Sequence, residues 1–144
     1  MNSLKFMVEQ KRIWLYGFVI MPNHMHALWR MQEEIKEENV KRDFLKFTSQ
    51  SIKFDLIDTN SPMLNIYKKN AHDREYQFWK KKAYSSTMYN RKVVEQKLDY
   101  IHANPLQKKW KLCEAPEDYY YSSAKYYLLN QDDWGFITHY TEHI

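Results

Sequence analysis

The chain has 144 residues, 22 Lys and Arg against 18 Asp and Glu, a formal net charge of +4 and a sequence pI near 9.0. That length fits one domain with a real core, and only 2 Gly and 4 Pro argue against a disordered or loop-dominated chain. A single cysteine, Cys113, excludes an intrachain disulfide and a multi-cysteine zinc site, and no apolar run approaches the ~18 residues of a membrane helix.

The basic balance suits a polyanionic partner, and aromatics at 17% supply rings for packing or for base stacking. The first twelve residues are too charged for a signal peptide. The expected site of action is therefore the cytoplasm, with no membrane partner. A single domain over residues 1–144 is expected.

In chain order, Leu4, Met7 and Val8 have helical spacing, so residues 2–11 read as the tail of a helix. Ile13 to Ile20 reads as a strand interrupted by Gly17. Met21-Pro22-Asn23 turns the chain, and His24 to Met31 reads as an antiparallel return. Gln32 to Asn39 is an acidic loop or helix entry. Val40, Phe44, Phe47, Ile52 and Leu56 then predict an amphipathic helix to Ile57, with Lys41, Arg42, Lys46 and Lys53 on its other faces. A break follows at Asp58–Pro62 and a short helix within 63–73. A strand, whole or in two pieces, is expected over Tyr76–Tyr89. Asn90 caps a helix to about Ala103, which Pro105 stops by pushing the preceding residue out of the α region. A short helix within Ala115–Tyr127, capped by Asp118 or Ser122, and a strand or docking segment at 134–137 complete the chain.

His24 and His26 carry the chemistry. Strand side chains alternate, so both imidazoles project together while Met25 points to the opposite face. Two convergent imidazoles can hold a divalent ion, although His-x-His is common enough that two half-exposed strand histidines without metal are the bland alternative. In the helix after Asn90, Val94, Leu98 and Ile101 form the buried stripe. Tyr100 and Asn104, at i and i+4, share one flank. Glu95, Asp99 and His102 fall on the other side, and His102 is expected at the surface. Taken singly, Tyr100 reads as packing and Asn104 as helix termination. Together with the histidine pair they suit phosphoryl transfer to a tyrosine. A phenol is a competent nucleophile toward phosphorus once deprotonated, and a divalent ion beside the phosphate offsets the charge that develops. Two imidazoles and an amide oxygen make three ligands and leave open positions. A phosphate substrate suits Mg²⁺ or Mn²⁺, and imidazole favours Mn²⁺.

Pro22-Asn-His-Met-His26, then Tyr100-Ile-His-Ala-Asn-Pro105, then Tyr119-Tyr-Tyr-Ser-Ser-Ala124 resemble the single-tyrosine HUH transposases, in particular the REP-associated tyrosine transposase branch. The likeness spans roughly residues 3–127. It implies an α+β fold: a ferredoxin-like antiparallel sheet with helices packed on one face. It also implies cleavage and rejoining of single-stranded DNA near hairpins (DNA transposition) through a covalent 5′-phosphotyrosine link. Tyr100 would be the nucleophile, His24 and His26 metal ligands, and Asn104 the third, amide-type ligand. The family has a strand and most of a helix ahead of the segment matching residues 3–12. The expectation here is therefore an N-terminally short domain lacking the family's first strand. A strand borrowed from a second copy, giving a homodimer, is one way to complete such a sheet.

Single-stranded or hairpin DNA is the implied partner. Trp79, Lys80, Lys81 and Lys82 offer a ring and cations for it, and Lys108 and Lys109 follow the Tyr100 helix. The alternative is a catalytically inactive or domesticated hairpin-DNA-binding module. A hydrolase attacking through metal-bound water is a third reading, weakened by the lack of a carboxylate placed near the histidines.

Overall fold

A computed structural model describes residues 1–32, 35–72, 74–80, 83–88 and 90–144. The chain is mixed α+β and divides into two compact units, Ile35–Ser86, and Asn2–Glu34 together with Thr87–Ile144. No described helix is long and apolar enough to cross a membrane.

In the second unit, α1 (Asn2–Glu9) leads into an antiparallel hairpin of β1 (Ile13–Met21) and β2 (His24–Met31). Its register pairs Met21 with His24, so Pro22 and Asn23 alone make the turn. Leu15 pairs with Trp29 and Gly17 with Leu28, which leaves Tyr16 as the extra residue of a bulge. The helix α3 (Arg91–Ala103) starts where expected: the Asn90 side chain accepts a 3.0 Å hydrogen bond from the Val93 amide. Its stripe of Val94, Leu98 and Ile101 is buried with Tyr16, Val19, Met21 and Leu28 of the hairpin. Full burial of side chains of this size contributes about 2 kcal/mol each, which makes this seam the main attachment of α3.

Gly17 permits the close approach. A Cβ built there would stand 2.4 Å from Leu98 Cδ2 and 3.1 Å from Ser123 Oγ. The same proximity overturns the expected surface position of His102, which is only 7% exposed, with Nε2 2.8 Å from Ser123 Oγ. His102 follows Leu98 by one helical turn, and Ser123 gives its ring a polar partner, so burial extends to that flank. Burial holds its pKa down to about 4.

The far edge of β1 is occupied by the C-terminal segment. Ser122 bridges Val19, the Ile20 amide donates to the Tyr121 carbonyl, and the Ser123 amide donates to the Phe18 carbonyl. The Tyr119 and Tyr127 hydroxyls donate to the carbonyls of Ile20 and Tyr16. This seam explains why the single helix expected within 115–127 is not formed. A turn at Tyr120–Tyr121 feeds residues 121–123 along β1, leaving a 3-10 turn at Pro116–Asp118 and α4 (Ala124–Leu129). Residues 134–137 dock without forming a strand: Trp134 Nε1 donates to the Ser122 carbonyl and the Thr138 amide to the Leu15 carbonyl.

The residue before Pro105 also departs from expectation. Asn104 keeps φ −55° and ψ −45°, and the chain passes from α3 into a 3-10 turn over Asn104–Leu106. Proline sits comfortably early in such a turn, where its missing N–H has no acceptor to lose.

The first unit holds α2 (Glu37–Asp58), a 3-10 turn at Pro62–Tyr67, and the short strands β3 (Lys68–Ala71) and β4 (Arg74–Tyr76), paired antiparallel. Val40 and Phe44 of the α2 stripe are buried, but Phe47 and Ile52 remain 46% and 38% exposed. The strand expected over 76–89 is absent from its described part beyond Tyr76. Local bonds replace a ladder there: the Gln77 amide donates to the Tyr67 carbonyl, Gln77 Nε2 to the Trp79 carbonyl, and Trp79 Nε1 to Thr48 Oγ1 on α2.

Candidate active site

The hairpin register sets the histidines. In an antiparallel pair, directly opposed residues share a face. His24 opposes Met21 and His26 opposes Val19, and both apolar partners lie in the core that α3 covers. Both imidazoles therefore stand on the α3 side of the sheet, while Met25, opposite Ile20, is on the reverse face. Their ring centroids are 5.2 Å apart with planes at 81°.

Asn23, the last turn residue, orients the first of them. His24 Nδ1 and Asn23 Oδ1 are 2.7 Å apart. An amide oxygen only accepts, so the proton resides on Nδ1 and the Nε2 lone pair is left for a ligand. The pKa of His26 is lowered, first by burial and then by the charges of His24 and Lys97. A neutral imidazole is the form that coordinates a metal.

Tyr100 completes the cluster. It projects from the flank of the α3 stripe, is 49% exposed, and sets its ring 5.4 Å from that of His26 with planes at 75°. A phenol from a late helix and an imidazole pair from an early hairpin thus meet, as the spacing on both elements requires. Asn104, one turn later, is 2% exposed. Its Nδ2 donates to the Tyr100 carbonyl at 2.8 Å, and its Oδ1 receives a long 3.4 Å contact from Gln107 Nε2. The amide steadies the helix end directly beneath the tyrosine, and its oxygen retains lone-pair capacity. Among the described residues no group of three or more His, Cys, Asp or Glu is arranged to hold a metal. Beside the imidazole pair, an amide, water or a substrate oxygen could complete the coordination of an ion. The two converging imidazoles, one oriented by Asn23 and the other kept neutral, fit that donor set.

Two neighbours escaped the sequence reading. The Trp110 ring lies 5.7 Å from His24, with Lys109 Nζ 5.0 Å from the indole centroid. Lys97 Nζ lies 5.8 Å from the centre of the Tyr100 ring. Lys97 precedes Tyr100 by three, a spacing that could have flagged it. Trp110 depends on the path after Pro105, where the Leu112 amide returns to the Pro105 carbonyl and Lys111 adopts φ +43°.

Lys108 and Lys109 are exposed, and Lys109 reaches this cluster through Trp110. Trp79 and Lys80 belong to the other unit, where Trp79 is half-buried and Lys80 exposed. Lys81 and Lys82 lie outside the described residues. Of the basic groups on α2, Lys41 donates to the Ala83 carbonyl, Arg42 pairs with Asp43, and Lys53 sits over the Tyr76 ring. Comparison with protein families, curated proteins and solved structures finds no match for this chain.

Proposed function

We propose that the chain cleaves and rejoins single-stranded DNA through a phosphotyrosine formed on Tyr100, with His24 and His26 as ligands of a divalent ion. The observation that carries this reading is the contact between Tyr100 and His26, with His24 one ring further on. Asn104 is the amide-type third ligand in this proposal. Mg²⁺ or Mn²⁺, when bound, would neutralise charge on the phosphate under attack.

The chain's own groups supply the rest. Tyr100 Oη gives up its proton to solvent and forms a bond to phosphorus. The bond from phosphorus to the 3′ oxygen breaks, and that oxygen takes a proton to become a free hydroxyl. The phosphate keeps its bond to the 5′ oxygen of the strand and is joined to Tyr100 Oη, and attack on it by a 3′ hydroxyl expels the tyrosine and reseals the strand. A half-exposed phenol at the edge of the core suits this exchange, because a polymer strand must reach it. The same reading takes the β1–β2 hairpin, with α3 across one face, as part of a ferredoxin-like sheet. Lys108 and Lys109 are its proposed phosphate contacts next to the site, and Trp79 and Lys80–Lys82 a further contact region.

The test is a denaturation-resistant protein–DNA adduct formed with Mg²⁺ or Mn²⁺ on hairpin-bearing single strands. It is expected from the wild-type chain and lost in Tyr100→Phe. No adduct across a range of such strands, or an adduct that survives Tyr100→Phe, overturns the assignment. Salt-sensitive binding without an adduct or a metal requirement would instead identify a non-catalytic hairpin-binding module.

A further inference from the structure

We propose that Lys97 grips a non-bridging oxygen of the phosphodiester that Tyr100 attacks. The inference rests on the strand-transfer reading and names the cation that serves it. Lys97 stands one turn before Tyr100 on α3, with Nζ 5.8 Å from the centre of the phenol ring. One ammonium thus stands over the ring of the proposed nucleophile.

Among the described residues, the surrounding charges leave that ammonium without an ion pair. On its own helix, positions 93, 94, 100 and 101 are Val, Val, Tyr and Ile, so no carboxylate stands one turn away in either direction. Glu95 is held by Arg91 Nε at 2.8 Å and by the Tyr140 hydroxyl at 2.7 Å. Asp99, two positions on, projects about 200° around the helix. A lysine stem is flexible, and its head is a compact charge with three donors. From the ring face it can turn to a phosphate held at Oη, where an ammonium–phosphate hydrogen bond is the expected charge-assisted contact. The phenol then has both the His26 imidazole and the Lys97 ammonium as neighbours, a surround matched to an anion.

The test uses the full chain and a strand whose cleaved phosphate has been mapped from the wild-type adduct. Binding is measured in EDTA in a Tyr100→Phe background, with that phosphate either native or replaced by a neutral methylphosphonate. With Lys97 present, the native strand is expected to bind about tenfold tighter than the neutral one. Lys97→Gln is expected to close that gap and to slow adduct formation in the Tyr100 chain by at least about tenfold, while Lys97→Arg retains most of both. A gap unchanged by Lys97→Gln overturns the role of Lys97 and leaves the strand-transfer reading standing. A wild-type chain that forms no adduct on any strand overturns both.

Discussion

The ring of Tyr100 meets that of His26 edge-on, 5.4 Å between centroids. The two residues are separated by about half of the chain, and what unites them is the packing of the α3 stripe against Val19 and Met21. Because Tyr100 is half-exposed and its hydroxyl forms no hydrogen bond among the described residues, Tyr100→Phe should change stability by no more than about 0.5 kcal/mol. Thermal unfolding of the variant checks this, and a matching melting temperature makes any loss of adduct a chemical effect.

Gly17→Ala should do the opposite, damaging the framework without touching a reactive group. The added methyl meets Leu98 Cδ2 at 2.4 Å and must push α3 away or force Leu98 off its rotamer. Overpacking of this kind costs about 1–3 kcal/mol. Denaturant titration should show the loss, and the displaced helix should also lower adduct yield at temperatures where the fold persists.

His102 makes stability depend on pH. Its folded pKa of about 4 lies below the ordinary 6.5, so the unfolded chain binds the proton first. Stability from this group is complete above pH 6.5 and drains away as pH falls toward 4, by on the order of 3 kcal/mol at most. The lowered pKa of His26 adds in the same direction. Denaturant midpoints at pH 7, 5.5 and 4.5 should fall steadily for the wild type. His102→Gln, which keeps an amide beside Ser123 and cannot titrate, should flatten the profile.

Asn104 has a helix-end role that can be separated from its proposed ligand role. Asn104→Ala deprives the Tyr100 carbonyl of its donor and leaves a small void, at a cost of about 1–3 kcal/mol. Asn104→Asp keeps the shape and an oxygen that can ligate a metal, but loses the N–H given to the Tyr100 carbonyl. If the amide oxygen ligates, calorimetric Mn²⁺ titration should show binding weakened about tenfold or more in Asn104→Ala and retained in Asn104→Asp.

DNA affinity should fall steeply with added salt. Replacing Lys108 and Lys109 together by Gln should lower the magnitude of the log–log salt slope by about two. A slope unaltered by the double substitution would show that neither lysine touches the strand.

Residues with short-range logic were legible in the sequence. The Pro22-Asn23 turn, the shared face of His24 and His26, the Asn90 cap and the Val94–Leu98–Ile101 stripe follow from local geometry, and they suffice to bring Tyr100 to His26. What was not legible depended on distant partners. His102 was misassigned because its burial requires Ser123 and the missing side chain of Gly17. The helix expected within 115–127 was split because β1 claims residues 121–123. Around Trp79, side-chain bonds to the backbone and to Thr48 outcompeted the strand that aromatic content suggested. Trp110 lies beside His24 at the end of a turn closed on the Gln107 carbonyl, which no periodicity announces.

The seam between β1 and residues 121–123 gives the hairpin a direction of growth. One margin is already stitched by amides, seryl oxygen and tyrosyl hydroxyls, and among the described residues no strand pairs with the other margin, along β2. Any strand later added to this sheet must therefore align beside the imidazole-bearing one. Recruitment of such a strand would brace the backbone beneath the ligands and leave the tyrosine helix where it is.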